Sequence, residues 1–137
     1  MRLSQTLKAL RRRRGLVVRE VAARMGMRFR TYQLFEAGGG RLSLARLQSF
    51  AEATDTDPWA ILVSLAFGDP TFALVCADNK LMTAAVESTR DFQRDWGEDI
   101  AKLDPGLVMR ELDAAFQRLG VEAERRRFPI RESDDPD

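Results

Sequence analysis

The chain of 137 residues contains no histidine, one cysteine, one tyrosine and five prolines, and its formal net charge is only +1. Without histidine it lacks the side chain most often used as a general base at neutral pH and the most frequent metal ligand. A single cysteine, Cys76, excludes an internal disulfide and a thiolate metal cluster. An enzyme built from this sequence would have to work with carboxylates, lysine or Tyr32, and no paired motif of those groups is present. No catalytic residue, metal or cofactor is therefore expected. No apolar run reaches the roughly 20 residues of a membrane span, and no signal-peptide pattern opens the chain. These absences point to a soluble cytoplasmic protein that binds rather than catalyses.

The small net charge hides an uneven distribution. Residues 1–66 hold 12 Lys/Arg against 5 Asp/Glu, a balance of +7, whereas residues 67–137 hold 10 against 16, a balance of −6. A basic N-terminal half favours a polyanionic partner, and the acidic C-terminal half is expected to stay clear of it.

The apolar spacing is helical throughout, and no strand pattern or internal repeat is found. Leu3, Leu7 and Leu10 form the buried stripe of a first helix, with Ser4 as N-cap and Gly15 ending it after Arg14. Arg11 to Arg14 place four guanidiniums on a single turn, pointing in all directions. Ser43 caps a fourth helix, Leu44 to Thr54, which buries Leu44, Leu47, Phe50 and Ala51. Asp57-Pro58 supplies an N-cap followed by proline at the first helical position. The fifth helix then runs to about Phe67, with Ile61, Leu62 and Leu65 inward and Gly68 as its stop.

Between these elements the stretch VVREVAARMGMRFRTYQLFE, ending at Glu36, organises the N-terminal half. Val18, Val21, Ala22 and Met25 lie on one apolar helix face. Gly26 stands where the chain leaves that helix, and glycine takes the left-handed C-terminal conformation without a Cβ penalty. Tyr32 and Phe35 share the inward face of a second short helix, whose opposite face carries Phe29, Arg30, Gln33 and Leu34. A short helix held across another, with arginine, glutamine and apolar groups outward, is the build of a helix-turn-helix recognition unit.

The Asp-Pro punctuation returns at Asp69-Pro70 and Asp104-Pro105. Between Pro70 and Trp96, Phe72, Val75, Met82, Val86 and Trp96 follow a 3-4 spacing beside a second stripe of Leu74, Leu81, Ala85 and Phe92, with a break expected near Asp78-Asn79. From Pro105 to about Arg127, Val108, Leu112, Ala115, Phe116, Leu119 and Ala123 make a cleaner stripe. Such wide apolar faces need a partner. The final residues, acidic and polar, read as disordered. Three regions follow: 1–68 as a helix-turn-helix domain, 69–128 as a helical dimerisation region, and 129–137 as an acidic tail.

Residues 7–66 resemble the Cro and lambda-repressor-like helix-turn-helix domain of the XRE family. The resemblance rests on LRRRRGL, VAARMG, TYQLFEAG, LSLARLQSFAEAT and DPWAIL in the family's order and spacing. It implies an all-α, five-helix DNA-binding domain, here followed by two amphipathic C-terminal helices, and a regulator working in the cytoplasm, at the nucleoid, of a bacterial or phage system. Ala22 and Gly26 fill the family's small and glycine positions, Tyr32 and Phe35 its buried ones. Glu36 takes the acidic position whose partner, an arginine near the end of the first helix, is Arg11. Two departures stand out. Val17 and Val18 occupy the places of a capping Ser or Thr and a phosphate-binding Gln. Arg28 takes the place of the recognition helix's cap and sets a cation at the positive end of its dipole, a conflict that a nearby phosphate would resolve.

In the family's geometry the recognition helix enters the major groove, and Arg28, Phe29, Arg30, Gln33 and Leu34 face the bases. Arg30 suits guanine O6 and N7, Gln33 suits adenine N6 and N7, and Phe29 and Leu34 suit thymine methyls. Arg11, Arg14, Val18 through its backbone N–H, Arg19, Arg41 and Arg46 are the expected phosphate contacts. Such a helix covers few base pairs, so a homodimer on an inverted repeat is expected. Phe72, Val75, Met82, Val86, Phe92, Trp96, Leu112, Phe116 and Leu119 are its expected interface, and repression is the expected outcome. Two other readings remain open: a protein-interaction module, such as an antitoxin or an adapter controlling another regulator, and a redox sensor acting through Cys76. The second is weakened by the apolar run ALVCAD around that thiol.

Overall fold

The computed structural model describes residues 2–127. The last ten residues, where the acidic tail was expected to be disordered, lie outside them. Among the described residues the chain is all α. In order come α1 (Arg2–Arg13), α2 (Val18–Arg24), α3 (Phe29–Glu36), α4 (Leu44–Thr54), α5 (Pro58–Phe67), α6 (Thr71–Val75) and α7 (Leu81–Trp96). A 3-10 turn (Gly97–Lys102) and α8 (Pro105–Arg127) follow.

The core of the N-terminal part follows from the apolar stripes. Leu7, Leu10, Val21, Tyr32, Leu47, Phe50, Ala60 and Ile61 are completely buried. Tyr32 meets Phe35 at 6.0 Å between ring centroids, and Phe35 meets Phe50 at 6.2 Å, both tilted. Each fully buried side chain of this size contributes about 1.5–3 kcal/mol. Leu62, Leu65, Val18 and Met25 pack against the cluster from its edge.

The helix ends obey local rules. At the end of α2, Gly26 adopts φ +65°. Its N–H donates to Ala23 O at 3.0 Å, and the N–H of Met27 donates to Ala22 O at 2.9 Å. This is the paired backbone closure that glycine permits at a helix C-terminus. Ser43 caps α4, its hydroxyl accepting from Arg46 N–H at 3.3 Å.

Three expectations need correction. Ser4 does not cap α1: it is helical and 8% exposed, because Leu3, also 8% exposed, is drawn into the core and extends the helix beyond it. Leu44 is 41% exposed rather than buried, since it opens α4 on the outer side of the turn. Among the described residues the region after Gly68 holds three helices rather than two: the chain breaks at Cys76–Lys80 between α6 and α7, and the 3-10 turn joins α7 to α8.

That break has a structural cause. Ala73, Cys76 and Ala77 are buried in the N-terminal core, and Ser64 Oγ accepts from Ala73 N–H at 2.7 Å, capping α6 from α5. Asp57 then serves two helices. Its Oδ1 accepts from Trp59 N–H at 3.1 Å and Ala60 N–H at 3.2 Å at the start of α5. The same oxygen accepts the Thr83 hydroxyl at 2.8 Å, and Oδ2 accepts Met82 N–H at 2.8 Å and Thr83 N–H at 3.3 Å, at the start of α7. A carboxylate only 1% exposed is thus held between two positive helix ends. Lys80, in the left-handed region at φ +56°, adds an ion pair to Asp55 at 3.1 Å and donates to the Asp55 and Ala77 carbonyls.

The chain divides into two compact units, residues up to Phe92 and residues from Gln93 on. α6 and the first turns of α7 therefore fall in the first unit, beyond the boundary expected at residue 68. The second unit holds the 3-10 turn and α8, and among its described residues none is buried.

Candidate nucleic-acid interface

α2 and α3 place the outward residues by burying the opposite side. On α3, Tyr32, Phe35 and Glu36 are 0%, 5% and 4% exposed. Arg28, Phe29, Arg30, Gln33 and Leu34 are all exposed, so the five expected base-reading residues share the free side of this helix and its N-terminus. Phe29 is 39% and Leu34 67% exposed, a large apolar area for a surface helix of eight residues. Arg28 sits at the N-cap with extended backbone and gives no side-chain cap. The missing cap of α2 is half replaced: Val17 offers no acceptor, but the Glu20 carboxylate accepts Val17 N–H at 3.3 Å.

Glu36 anchors α3 to α1. Arg11 Nε donates to both carboxylate oxygens at 3.1 and 3.0 Å, and Nη2 donates to Oε1 at 2.8 Å. Nη1 of the same guanidinium donates to Leu16 O at 3.1 Å. The side chains are 13% and 5% exposed, so this is a largely buried, forked pair rather than a surface bridge. The carboxylate holds the Arg11 guanidinium charged, raising its pKa further. The Tyr32 hydroxyl is buried, with no hydrogen-bond partner among the described residues. Burial first, and then the Glu36 carboxylate, push its pKa far up.

The expected phosphate-contacting residues separate into three groups. Arg19, Arg41 and Arg46 are exposed. Arg11 and Val18, with Gln33 and Glu36, line a shallow cleft of about 250 Å³ where α1, α2 and α3 meet. Lys8 completes that lining and was missed in the sequence, although it lies one turn before Arg11 on α1, the spacing that puts two side chains on one face. Arg14 is placed otherwise. Its Nε donates to Thr54 O at 2.9 Å and its Nη2 to Asp55 O at 2.5 Å, and Nη2 pairs with Asp78 at 2.8 Å. Its guanidinium ties the end of α1 to the turns before α5 and α7. Arg24 similarly reaches Ala53 O at 2.9 Å.

One contact joins an expected phosphate-contacting residue to an expected base-reading one. The Arg19 guanidinium lies over the Phe29 ring, 5.2 Å from its centroid, so a residue of α2 stacks on the first residue of α3.

The expected interface residues also part company. Phe72 is half-buried and meets Phe67 edge-on at 5.4 Å; Met82 and Val86 are half-buried in the first unit, and Val75 is 59% exposed. Phe92, Trp96, Leu112, Phe116 and Leu119 are 41–61% exposed. Cys76 is buried at 1%, and burial, then Asp57, raise its pKa, which is the setting of an inert thiol. A larger open cleft, about 520 Å³, lies elsewhere in the first unit, where Trp59, Lys80, Val86, Glu87 and Arg90 mix both charges.

Two short helices crossing at a glycine turn, the second fixed from behind and exposed in front, define a helix-turn-helix domain. Residues 7–58 match the family model described as Helix-turn-helix, of the XRE and lambda-repressor-like type. This stretch of the chain is such a domain, from a family of DNA-binding regulatory rather than enzymatic modules. No curated protein and no solved structure matches the chain. No helix among the described residues is long and apolar enough to cross a membrane.

Proposed function

We propose that this protein is a sequence-specific DNA-binding transcriptional regulator, a homodimeric repressor that lays α3 in the major groove of an inverted-repeat operator. The observation that carries the reading is the division of α3. Its buried side is locked to α1 by Glu36 and Arg11, while Arg28, Phe29, Arg30, Gln33 and Leu34 are exposed together. A helix held so firmly from behind presents its outer side chains in a fixed register, which base-edge readout requires.

In this reading Arg30 takes a guanine, Gln33 an adenine, and Arg28 a base or the phosphate nearest the helix N-terminus. Arg19, Arg41 and Arg46 neutralise flanking phosphates. Another phosphate would sit at the cleft of Lys8, Arg11 and Val18. Arg14 is left out, because its donors are spent inside the fold. The exposed Phe92, Trp96, Leu112, Phe116 and Leu119 suit an isologous contact with a second copy. Occupancy of a promoter needs no further surface, which favours repression.

In vitro selection of duplex DNA, followed by binding across salt concentrations, tests the proposal. The expected result is an inverted repeat with half-sites about one helical turn or a multiple apart, and an affinity that falls steeply with salt. Arg30→Ala should weaken binding by roughly 5- to 150-fold and relax preference at one base pair, and Gln33→Ala should act likewise at another. Weak binding that selects no sequence would contradict it. The same exposed C-terminal side chains also suit a different protein, as in an antitoxin or adapter; a stable partner co-purifying in place of the homodimer would favour that reading.

A further inference from the structure

We infer that Phe29 is a reader of the C5-methyl group of pyrimidines, and that Arg19 is the positioning residue that holds its ring for this task. The inference rests on the major-groove placement of α3 proposed above. Phe29 and Leu34 stand on the outer side of α3 without any hydrogen-bonding group, yet they are 39% and 67% exposed. In the major groove the feature an apolar side chain can complement is the C5-methyl group, carried by thymine and equally by 5-methylcytosine.

The ring is not left to itself. Arg19 covers one of its faces at 5.2 Å, an arrangement in which the guanidinium is attracted by the ring's negative face. The stack constrains the rotamer of a side chain that its own helix does not bury. Arg19 is itself exposed, so its charge stays accessible to a phosphate. Reading the methyl and neutralising the backbone thus become one coupled act. Since the methyl and not the thymine carbonyl is what Phe29 senses, methylation of a cytosine at the same position would be sensed as well.

The test uses the intact protein and the duplex recovered by selection, with each thymine replaced in turn by deoxyuridine, which removes the methyl alone. At one position per half-site the wild-type affinity should fall roughly fourfold. Phe29→Ala should bind the thymine and uracil duplexes equally. Arg19→Lys should lose at least half of that fourfold discrimination, because the ammonium keeps the charge without the planar stack. A duplex with a 5-methylcytosine–guanine pair at that thymine's position should bind more tightly than the same duplex with unmethylated cytosine there, and equal binding of the two would overturn methyl readout by Phe29.

Equal affinity for every uracil-substituted duplex would overturn the inference while leaving DNA binding intact. Full discrimination retained by Phe29→Ala would assign the effect to Leu34 and also overturn it, and full discrimination retained by Arg19→Lys would remove the positioning role. Recovery of no selected duplex would overturn the DNA-binding reading, and this inference with it.

Discussion

The two units of the chain solve the burial problem in opposite ways. The first contains the fully buried Leu7, Tyr32, Phe50 and Ile61, with capped helices and polar groups tied across elements by Asp57, Ser64, Arg14 and Lys80. The second buries no residue among those described, and Met109, Leu112, Phe116, Leu119 and Val121 on α8 are 48–61% exposed. The first unit encloses a core of its own, whereas the second leaves its apolar side chains exposed among the described residues.

The largest effect should come from the polar centre of the first unit. Asp57→Ala removes the acceptor for four amides and a hydroxyl at the starts of α5 and α7. Loss of about 3 kcal/mol or more is expected, since each buried donor left unpaired costs ~1–3 kcal/mol. Urea unfolding followed by circular dichroism measures it. A loss below ~1 kcal/mol would mean that the two helix ends find other acceptors and that the first unit is less tightly specified than its bonds imply.

Next comes the junction behind the recognition helix. Glu36→Ala strips a largely buried guanidinium of its carboxylate and should cost about 2–4 kcal/mol. Glu36→Gln, which keeps one acceptor, should cost less. If both variants unfolded with the wild type, the fork would be an ornament and α3 would owe its placement to Tyr32 and Phe35 alone.

The second unit should respond in the opposite sense. Phe116→Glu, on an exposed position, should leave the unfolding of the first unit within about 0.5 kcal/mol of the wild type. Sedimentation equilibrium should nevertheless show the dimer replaced by monomer. A cooperative loss of stability without any change of mass would place Phe116 in the chain's own packing instead.

The smallest effects concern single groups. Tyr32→Phe removes a buried hydroxyl that has no hydrogen-bond partner among the described residues, so stability should change by less than ~1 kcal/mol in either direction. The raised pKa of Tyr32 means that its neutral form favours folding below the usual tyrosine range, and this contribution is lost as pH rises above it. Alkaline unfolding should therefore shift to higher pH in Tyr32→Phe. At the acid end, Arg14 holds the Asp78 carboxyl below its ordinary value. That link contributes above the ordinary carboxylate pKa and fades as pH falls through the lowered one, a slope that Asp78→Asn should flatten.

Much of the first unit was legible in local signals. The 3-4 spacing of Val18, Val21, Ala22 and Met25, the glycine after α2, and Ser43 and Asp57 as caps each carry their own short-range physics, and the exposed set on α3 followed from the burial of Tyr32 and Phe35. What escaped depended on contacts far apart in the chain. Nothing near Asp57 announces that it also caps a helix 25 residues on. Ala73 and Ala77 carried no signal of their burial in the first unit, because small residues fit a helix stripe and a docked turn equally well. Arg14 could not be told from Arg11 to Arg13 by spacing, since four consecutive guanidiniums differ only in what the fold brings to meet them. Lys8 was passed over for the same reason: its role depends on the cleft that α2 and α3 close beside it.

The central claim is that the first unit reads DNA and the second brings two readers together. Titration of the intact protein into the selected inverted-repeat duplex and into a duplex with a single half-site, with mass measured by sedimentation, tests it most directly. The account predicts two copies on the inverted repeat and binding to the half-site weaker by at least tenfold, because linked binding raises effective concentration. One copy per duplex, with equal affinity for both, would contradict it.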